Sequence, residues 1–330
     1  MMQYFAQDGA KIVCLLCAHR CKLSQGATGI CGINQNQEGH LKCLVYGYPT
    51  ALHIDPVEKK PLYHFLPSSQ TLSLGTVGCN FRCPFCQNWQ ISQTHTIDKS
   101  QFFSPKQIVQ IALQNSCDSI SFTYNEPTIF YPYAKDIALL AKKEGLKTIF
   151  VSNGFMSDEV LNDMQGVIDA LNIDIKSFTE SYYKKVLKGG LQQILSNLCN
   201  LKKNGHWIEI TTLIVPNHND SDEELQQIAT FIYENLGADT PWHLSAFHPD
   251  FKELQTPATS MQSLEKAYKI AKEIGLHYIY LGNVGTNNTT FCPTCNTTLI
   301  QRSAMQVTNN TLLHNQCPKC HTTIAGVFYA

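Results

Sequence analysis

The chain has 330 residues, enough for one large α/β domain with smaller additions, and 43% of them are hydrophobic, as in an ordinary globular fold. Its net charge of −1, with no run of five like charges, argues against a dedicated nucleic-acid or anionic-membrane surface, which needs a concentrated basic field. No apolar run approaches a membrane span, and residues 1–8 lack the basic start and apolar core of a signal peptide. A cytoplasmic location is therefore expected. There, cysteines at Cys-x2-Cys spacing point to metal or redox chemistry rather than disulfides.

Residues 1–66 show little periodicity but many turn signals, and are read as a Cys-rich extension. Cys14-x2-Cys17-x3-Cys21-x9-Cys31 offers four thiolates in eighteen residues, enough for zinc or an auxiliary cluster that would staple so short a segment. The plain alternative is that Cys14 and Cys17 pack with Val13, Leu15 and Leu16. Cys43, Cys117 and Cys199 stand alone. Residues 55–65 are dense in polar and aromatic groups and bracketed by prolines, which predicts an extended loop. Lys59 and Lys60 read most simply as a solvated turn, and His64 as a packed histidine bonded to backbone.

From 67 to 284, β-like runs alternate with helical periodicity. The strands are expected at 71–77, 119–124, 148–152, 168–175, 207–215, 242–247 and 278–281. Ser104-Pro105, Ser157-Asp158-Glu159 and Ser221-Asp222-Glu223-Glu224 signal helix starts, and Gly145 and Gly275 signal ends. Such alternation implies parallel strands with right-handed crossovers. Six β/α units and a trailing strand fall short of a closed eight-fold barrel, so the expected fold is a partial (β/α)6 TIM-like barrel.

The first strand runs into Gly78-Cys79-Asn80-Phe81-Arg82-Cys83-Pro84-Phe85-Cys86. A cubane cluster closed by protein takes four thiolates. This loop supplies Cys79, Cys83 and Cys86, leaving one iron open to a non-protein ligand. A zinc knuckle or a set of buried thiols is the competing reading. In parallel α/β folds functional groups gather at the C-terminal strand ends. Those positions hold Tyr124-Asn125-Glu126-Pro127, Ser152-Asn153-Gly154, Asp174-Ile175-Lys176-Ser177, Pro216-Asn217-His218-Asn219 and His248-Pro249-Asp250. Taken singly, Asn153-Gly154 could be a turn, Glu126-Pro127 a helix start, and Asp174 with Lys176 an ion pair. Together they place carboxylates, hydroxyls and backbone acceptors at one rim, as a binding site for a polar cofactor needs.

After a polar linker, residues 285–330 carry Cys292-x2-Cys295 and Cys317-x2-Cys320. This pattern predicts a zinc-ribbon-like module, with rubredoxin-type iron as the alternative. About forty residues bury little core, so the metal would supply much of the folding energy.

The Cys79 loop resembles that of the radical S-adenosylmethionine (SAM) superfamily, in which the open iron of a 4Fe-4S cluster chelates SAM. Asn125-Glu126-Pro127 lies where the superfamily has Gly-Gly-Glu-Pro, which binds the cofactor's amino group, although the glycines are absent. Asp174-x-Lys176 resembles a strand motif of glycyl-radical activating enzymes. More closely, Cys14-Leu15-Leu16-Cys17-Ala18-His19-Arg20-Cys21, residues 55–65, Cys86-Gln87-Asn88-Trp89 and Phe247-His248-Pro249-Asp250 resemble the AmmeMemoRadiSam system radical SAM enzyme, a pyruvate formate-lyase activating enzyme-like family. The resemblance implies AMMECR-type and Memo-type partner proteins and an electron donor of flavodoxin or ferredoxin type.

The resulting expectation is an enzyme that cleaves SAM reductively to a 5'-deoxyadenosyl radical. That radical would abstract hydrogen from a protein or peptide substrate. Phe85, Asn125, Glu126, Asn153, Asp174, Lys176 and His248 are the candidate cofactor-binding residues, and no acid or base is assigned as catalytic. The rivals are a glycyl-radical enzyme activase, a non-catalytic iron-sulfur electron-transfer or scaffold protein, and a nucleic-acid-modifying enzyme that binds through its ribbon. The near-zero net charge disfavours the last.

Overall fold

The computed structural model describes residues 4–329. The chain divides into two compact units, one of residues 4–55, 70–171 and 180–206, the other of 56–69, 172–179 and 207–329.

In the first unit the N-terminal segment forms more regular structure than its weak periodicity suggests. Strands β1 (Phe5–Asp8), β2 (Lys11–Cys14) and β3 (Lys22–Leu23) make a small antiparallel sheet. Strands β4 (Asn34–Gln37) and β5 (His40–Cys43) make a hairpin. Its two-residue turn places Glu38 at φ 53° and Gly39 at φ 80°, the paired left-handed conformation that matches strand twist. The elements are too short for periodicity to register.

Strand β6 (Ala51–Pro56) leads to three strands of the predicted alternation: β7 (Gln70–Gly75), β8 (Ser119–Phe122) and β9 (Lys147–Ser152). They lie in the order β6-β7-β8-β9. Strands β7, β8 and β9 run parallel, with Leu72 opposite Ile120 and Ile120 opposite Thr148. The unit's helices are α1 (Trp89–Ser92), α2 (Pro105–Gln114), α3 (Tyr131–Lys143), α4 (Asp158–Asp163), α5 (Glu180–Tyr182) and α6 (Leu191–Lys203). Their starts are where the side chains dictate. Ser104 and Gln107 form a reciprocal capping box with Pro105 in the first turn, and the Ser157 hydroxyl accepts from Val160 N–H. The chain passes between the units on β10 (Ala170–Asp174).

In the second unit, β11 (Trp207–Ile214), β12 (Trp242–Ala246) and β13 (Ile279–Gly282) are parallel neighbours. Helices α7 (Asp222–Phe231) and α8 (Met261–Ile274) start at the Ser221 and Ser260 caps, and α8 ends at Gly275 with φ 110°. Every residue of β8 and of β12 is buried, as parallel strands covered on both faces require.

Residues 55–65 depart from the expected loop: β6 continues to Pro56 and a single 3₁₀ turn, Val57–Lys59, follows. Lys59 is exposed, but Lys60 is only 2% exposed, so the solvated-turn reading fails there. A buried polar network follows it in the chain. Glu209 accepts the N–H groups of Tyr63 (2.9 Å) and His64 (2.8 Å), Trp207 Nε1–H (3.0 Å) and the His243 ring (2.7 Å). Burial pushes its carboxyl up, but these partners hold it below the usual range. His64 is indeed a packed histidine, its ring bonding Ala325 O (2.7 Å) and Tyr280 Oη (2.7 Å).

The last elements, β14 (Asn288–Phe291), β15 (Thr298–Ser303) and β16 (Gln306–Asn310), form an antiparallel sheet. Its core joins Cys292, Leu299, Ile300, Cys317 and Ile324 to Tyr63, Tyr278 and Tyr280. Arg302, 1% exposed, donates to Tyr63 O (2.6 Å) and Thr290 Oγ1 (2.9 Å), with its guanidinium over the Tyr63 ring. Among the described residues no helix is long and apolar enough to cross a membrane.

Candidate metal and cofactor site

The three-cysteine loop begins where β7 ends. Gly78 sits at φ 87°, and a Cβ there would come within 2.5 Å of the Cys31 carbonyl oxygen, so only glycine fits. Cys83 is buried, while Cys79 and Cys86 are half-buried. Phe81 N–H is directed at Cys79 Sγ (3.4 Å), and Ser92 Oγ lies 3.1 Å from Cys86 Sγ. The buried Phe81 ring packs against Phe155 and Tyr183 and fills the space that Gly189 leaves, where a Cβ would meet it at 2.3 Å. Phe85 is buried and Trp89 half-buried.

At the end of β8, Tyr124 adopts φ 70°, a conformation suited to the glycine expected there by resemblance, and its hydroxyl donates to Asp55 Oδ2 (2.6 Å). The Asn125 amide donates to Gly78 O (2.9 Å) and Thr76 Oγ1 (3.0 Å), tying the strand end to the cysteine loop. Glu126, 1% exposed, does start a helical turn, since its carboxylate accepts Thr128 N–H (3.0 Å). It does more than that. The same carboxylate accepts Ser152 Oγ–H (2.8 Å) and Asn153 N–H (2.8 Å) at the end of β9. Burial pushes the Glu126 carboxyl up against the pull of these donors. Asn153 then donates to Asn80 Oδ1 (2.7 Å), and Asn80 Nδ2 is buried with no hydrogen-bond partner among the described residues. Burial also pushes the Cys79 thiol well up, with the nearby Glu126 carboxylate adding to the effect.

Within one unit, then, Cys79, Cys83, Cys86, Asn125, Glu126 and Asn153 come together. Asn80, Ser152 and His19, whose ring meets Asn80 O at 2.9 Å, join them, although none was among the candidate cofactor-binding residues. Asn80 could have been found from its place beside Cys79 in the loop. His19, sixty-one residues away in sequence, was quoted only within the Cys14–Cys21 motif, where nothing tied it to the cluster loop.

Asp174, Lys176 and His248 belong to the second unit. Lys176 Nζ pairs with Asp174 Oδ2 (2.9 Å), Asn219 donates to Lys176 O (2.9 Å), and the His248 ring lies 3.2 Å from Asn283 O.

The C-terminal cysteines Cys292, Cys295, Cys317 and Cys320 converge, all four sulfurs lying within 4.8 Å of one another. Cys292 and Cys320 are 3.5 Å apart, and Cys295 and Cys317 3.6 Å. Four sulfurs held 2.3 Å from one tetrahedral ion lie about 3.8 Å apart, so this donor set fits a single thiophilic metal. The Thr297 hydroxyl and N–H hold the Cys295 thiol below its ordinary value, and Thr322 does the same for Cys320.

In the N-terminal group Cys14, Cys17 and Cys31 are buried and Cys21 half-buried. Cys43 is not apart from them: it pairs across the hairpin with Asn34, whose amide lies 3.5 Å from Cys31 Sγ. Among the described residues no disulfide joins any of the fourteen cysteines.

The three-thiolate loop, the buried Glu126 and the orphaned Asn80 amide at the ends of parallel strands suit a cluster with one open iron. The chain belongs to the radical SAM superfamily, whose description matches residues 73–232 and whose members use a 4Fe-4S cluster and SAM. It is 42% identical to Uncharacterized protein MJ0808 of Methanocaldococcus jannaschii, over 91% of this chain and 90% of that one. Putative glycyl-radical enzyme activating enzyme MJ1227 of the same organism is 28% identical over 74% of this chain and 95% of its own. A radical SAM methyltransferase from Sphaerobacter thermophilus shares the fold at TM-score 0.50 and 12% identity, over 66% of this chain and 67% of that one. Streptococcus suis SuiB bound to S-adenosylmethionine does so at 0.51 and 12%, over 68% and 52%.

Proposed function

We propose that the chain is a radical SAM enzyme acting on a protein or peptide, with Cys79, Cys83 and Cys86 as the cluster ligands. The observation that carries this reading is the succession Cys79, Asn80, Asn153, Glu126. It sets three thiols without a fourth beside a buried carboxylate, a grouping that is costly when anionic unless cations join it. When bound, the cluster and SAM supply one-electron cleavage of the sulfonium and a hydrogen-abstracting 5'-deoxyadenosyl radical. The chain's own residues bind and orient. Glu126, fixed by three donors, takes the cofactor's ammonium group, Asn125 and Asn153 hold the surrounding backbone, and Phe81 and Phe85 exclude water. On sequence grounds alone the proposal extends to Asp174, Lys176 and His248 as further cofactor contacts. It also extends to an open partial (β/α)6 barrel, a cytoplasmic location and a flavodoxin or ferredoxin donor. Zinc is proposed for the C-terminal cysteines, on their sulfur spacing.

The names of MJ1227 and of MJ1632, also a putative glycyl-radical enzyme activating enzyme, favour one variant of this reading. In it the substrate is a glycine of a partner enzyme. The motifs at 14–21, 55–65 and 247–250 favour AMMECR-type and Memo-type proteins as partners instead. Co-purification with each class separates the two.

The test is anaerobic reconstitution with iron and sulfide, reduction with dithionite, addition of SAM and measurement of 5'-deoxyadenosine. Formation by the wild type and its loss in Cys83→Ala is the expected result. An intact, reducible cluster that neither forms product nor changes its EPR spectrum on adding SAM would leave the electron-transfer reading instead.

A further inference from the structure

We propose that the Asn80 side-chain amide donates a hydrogen bond to a sulfur of the cluster and so sets the potential at which the cluster takes up an electron. This role rests on the reading above, in which Cys79, Cys83 and Cys86 hold that cluster.

Asn80 is wholly buried yet only half satisfied. It is 0% exposed, its Oδ1 accepts Asn153 Nδ2–H at 2.7 Å, and its Nδ2 has no partner among the described residues. Buried donors are nearly always paired, and one left bare is costly. A partner supplied from outside the polypeptide removes that cost.

The neighbours fix which end of the amide is free. Asn153 Oδ1 accepts Phe155 N–H (3.0 Å), so the end of Asn153 that faces Asn80 is its NH2 group. Only an oxygen of Asn80 can meet it, since a flipped amide would set donor against donor. The Asn153 bond also polarises the Asn80 amide and strengthens its remaining N–H groups as donors.

Asn80 has little freedom to turn away. The His19 ring bonds its carbonyl (2.9 Å), and Arg82 donates to the carbonyls on either side, Cys79 O (2.7 Å) and Phe81 O (2.9 Å). Asn153 is anchored in turn by its N–H to Glu126 (2.8 Å). The amide held in this way lies against the cluster ligands. The Cys79 thiol is directed at Asn80 Oδ1 (3.8 Å), while Phe81 N–H is directed at Cys79 Sγ (3.4 Å). Cys79 gives up its proton on binding iron, leaving sulfur acceptors beside an unpaired N–H. The nearby carboxylate is a poorer match, because Glu126 already receives Thr128 N–H, Ser152 Oγ–H and Asn153 N–H. Hydrogen bonds to cluster sulfurs favour the more negative, reduced state and raise its potential.

The test is pulsed EPR on the full chain, reconstituted with iron and sulfide and reduced with dithionite in the absence of SAM. The protein is grown on asparagine that carries the heavy nitrogen isotope in its side-chain amide. A hyperfine coupling from that nitrogen to the reduced cluster is expected in the wild type. It should be absent from Asn80→Asp, which keeps the oxygen that Asn153 needs and loses the donor. Asn80→Ala gives the same readout should the aspartate charge keep iron out. Redox titration of Asn80→Ala, at wild-type iron content, should show reduction disfavoured about tenfold, or about 59 mV for one electron. A purely structural residue would leave that midpoint where it was. A reducible wild-type cluster without the coupling, or a coupling that persists in Asn80→Asp, would overturn the role and leave the radical reading standing. An unchanged midpoint with weakened SAM binding by calorimetry would also overturn it, giving the amide to the cofactor's carboxylate. Wild type that takes up no iron would overturn both.

Discussion

Glu126 serves two ends with one carboxylate, capping the turn at Pro127 and holding the end of β9. Glu126→Gln puts an amide where three donors converge, and leaving one buried donor unpaired costs about 1–3 kcal/mol. It should also raise the Kd for SAM by tenfold or more, read by calorimetry on the reconstituted protein. Unchanged affinity would remove Glu126 from the cofactor site. Gly78→Ala meets both a left-handed φ and the Cys31 carbonyl. Backbone strain alone costs on the order of 1–3 kcal/mol, so iron incorporation should fall sharply, and normal incorporation would mean that the loop can shift. His64 gives a pH signature. Burial pushes its pKa down to about 4 from an ordinary 6.5, so it stays neutral in the fold while the unfolded chain takes up a proton. Stability from this residue is complete above about pH 6.5 and is lost as pH falls toward 4, about 3 kcal/mol in all. Thermal unfolding of wild type should therefore drop between pH 7 and pH 5 more steeply than that of His64→Gln. Parallel slopes would place the loss elsewhere.

Elements differ in how openly the sequence declares them. The seven strands between 70 and 282 follow from short apolar runs between capped helices, and the observed bounds differ from the expected ones by one or two residues. Their ends projected the cysteine loop, Glu126 and Asn153, because parallel strands point their C-termini toward one edge. The N-terminal strands were hidden because two to four residues carry no measurable period. Lys60 was misread because a lysine beside a proline looks solvated in sequence, which does not show that Glu209 holds the nearby Tyr63 and His64 backbone inside the fold. Ser157 shows a cap with a second duty. It caps α4 and also donates to Leu15 O (2.6 Å) beside the N-terminal cysteines. Ser157→Ala should cost about 2 kcal/mol, against about 1 kcal/mol for Ser260→Ala, which loses a cap and only a solvent-exposed contact with the Ser263 hydroxyl. Chemical denaturation of the two variants side by side checks this, and equal losses would mean the bond to Leu15 contributes little.

For the molecule as a whole, the C-terminal sheet depends on its cysteines for more than local order, because Cys292 and Cys317 belong to the same core as Tyr63, Tyr278 and Tyr280. Cys295→Ser/Cys320→Ser should lower the apparent Tm by about 5–10 °C, measured by calorimetry at fixed zinc. An unchanged Tm would make the module thermally independent. The clasp that joins His64 to Ala325 and Tyr63 to Arg302 closes a loop of 261 residues. At about 5–20 residues per second of synthesis, roughly 13–50 s pass between the emergence of its two ends. Throughout that interval on the ribosome the nascent chain presents Tyr63, His64 and Phe65 without their C-terminal partners. This short aromatic segment, waiting for the last strands to be made, is a place where chaperones would meet the nascent protein.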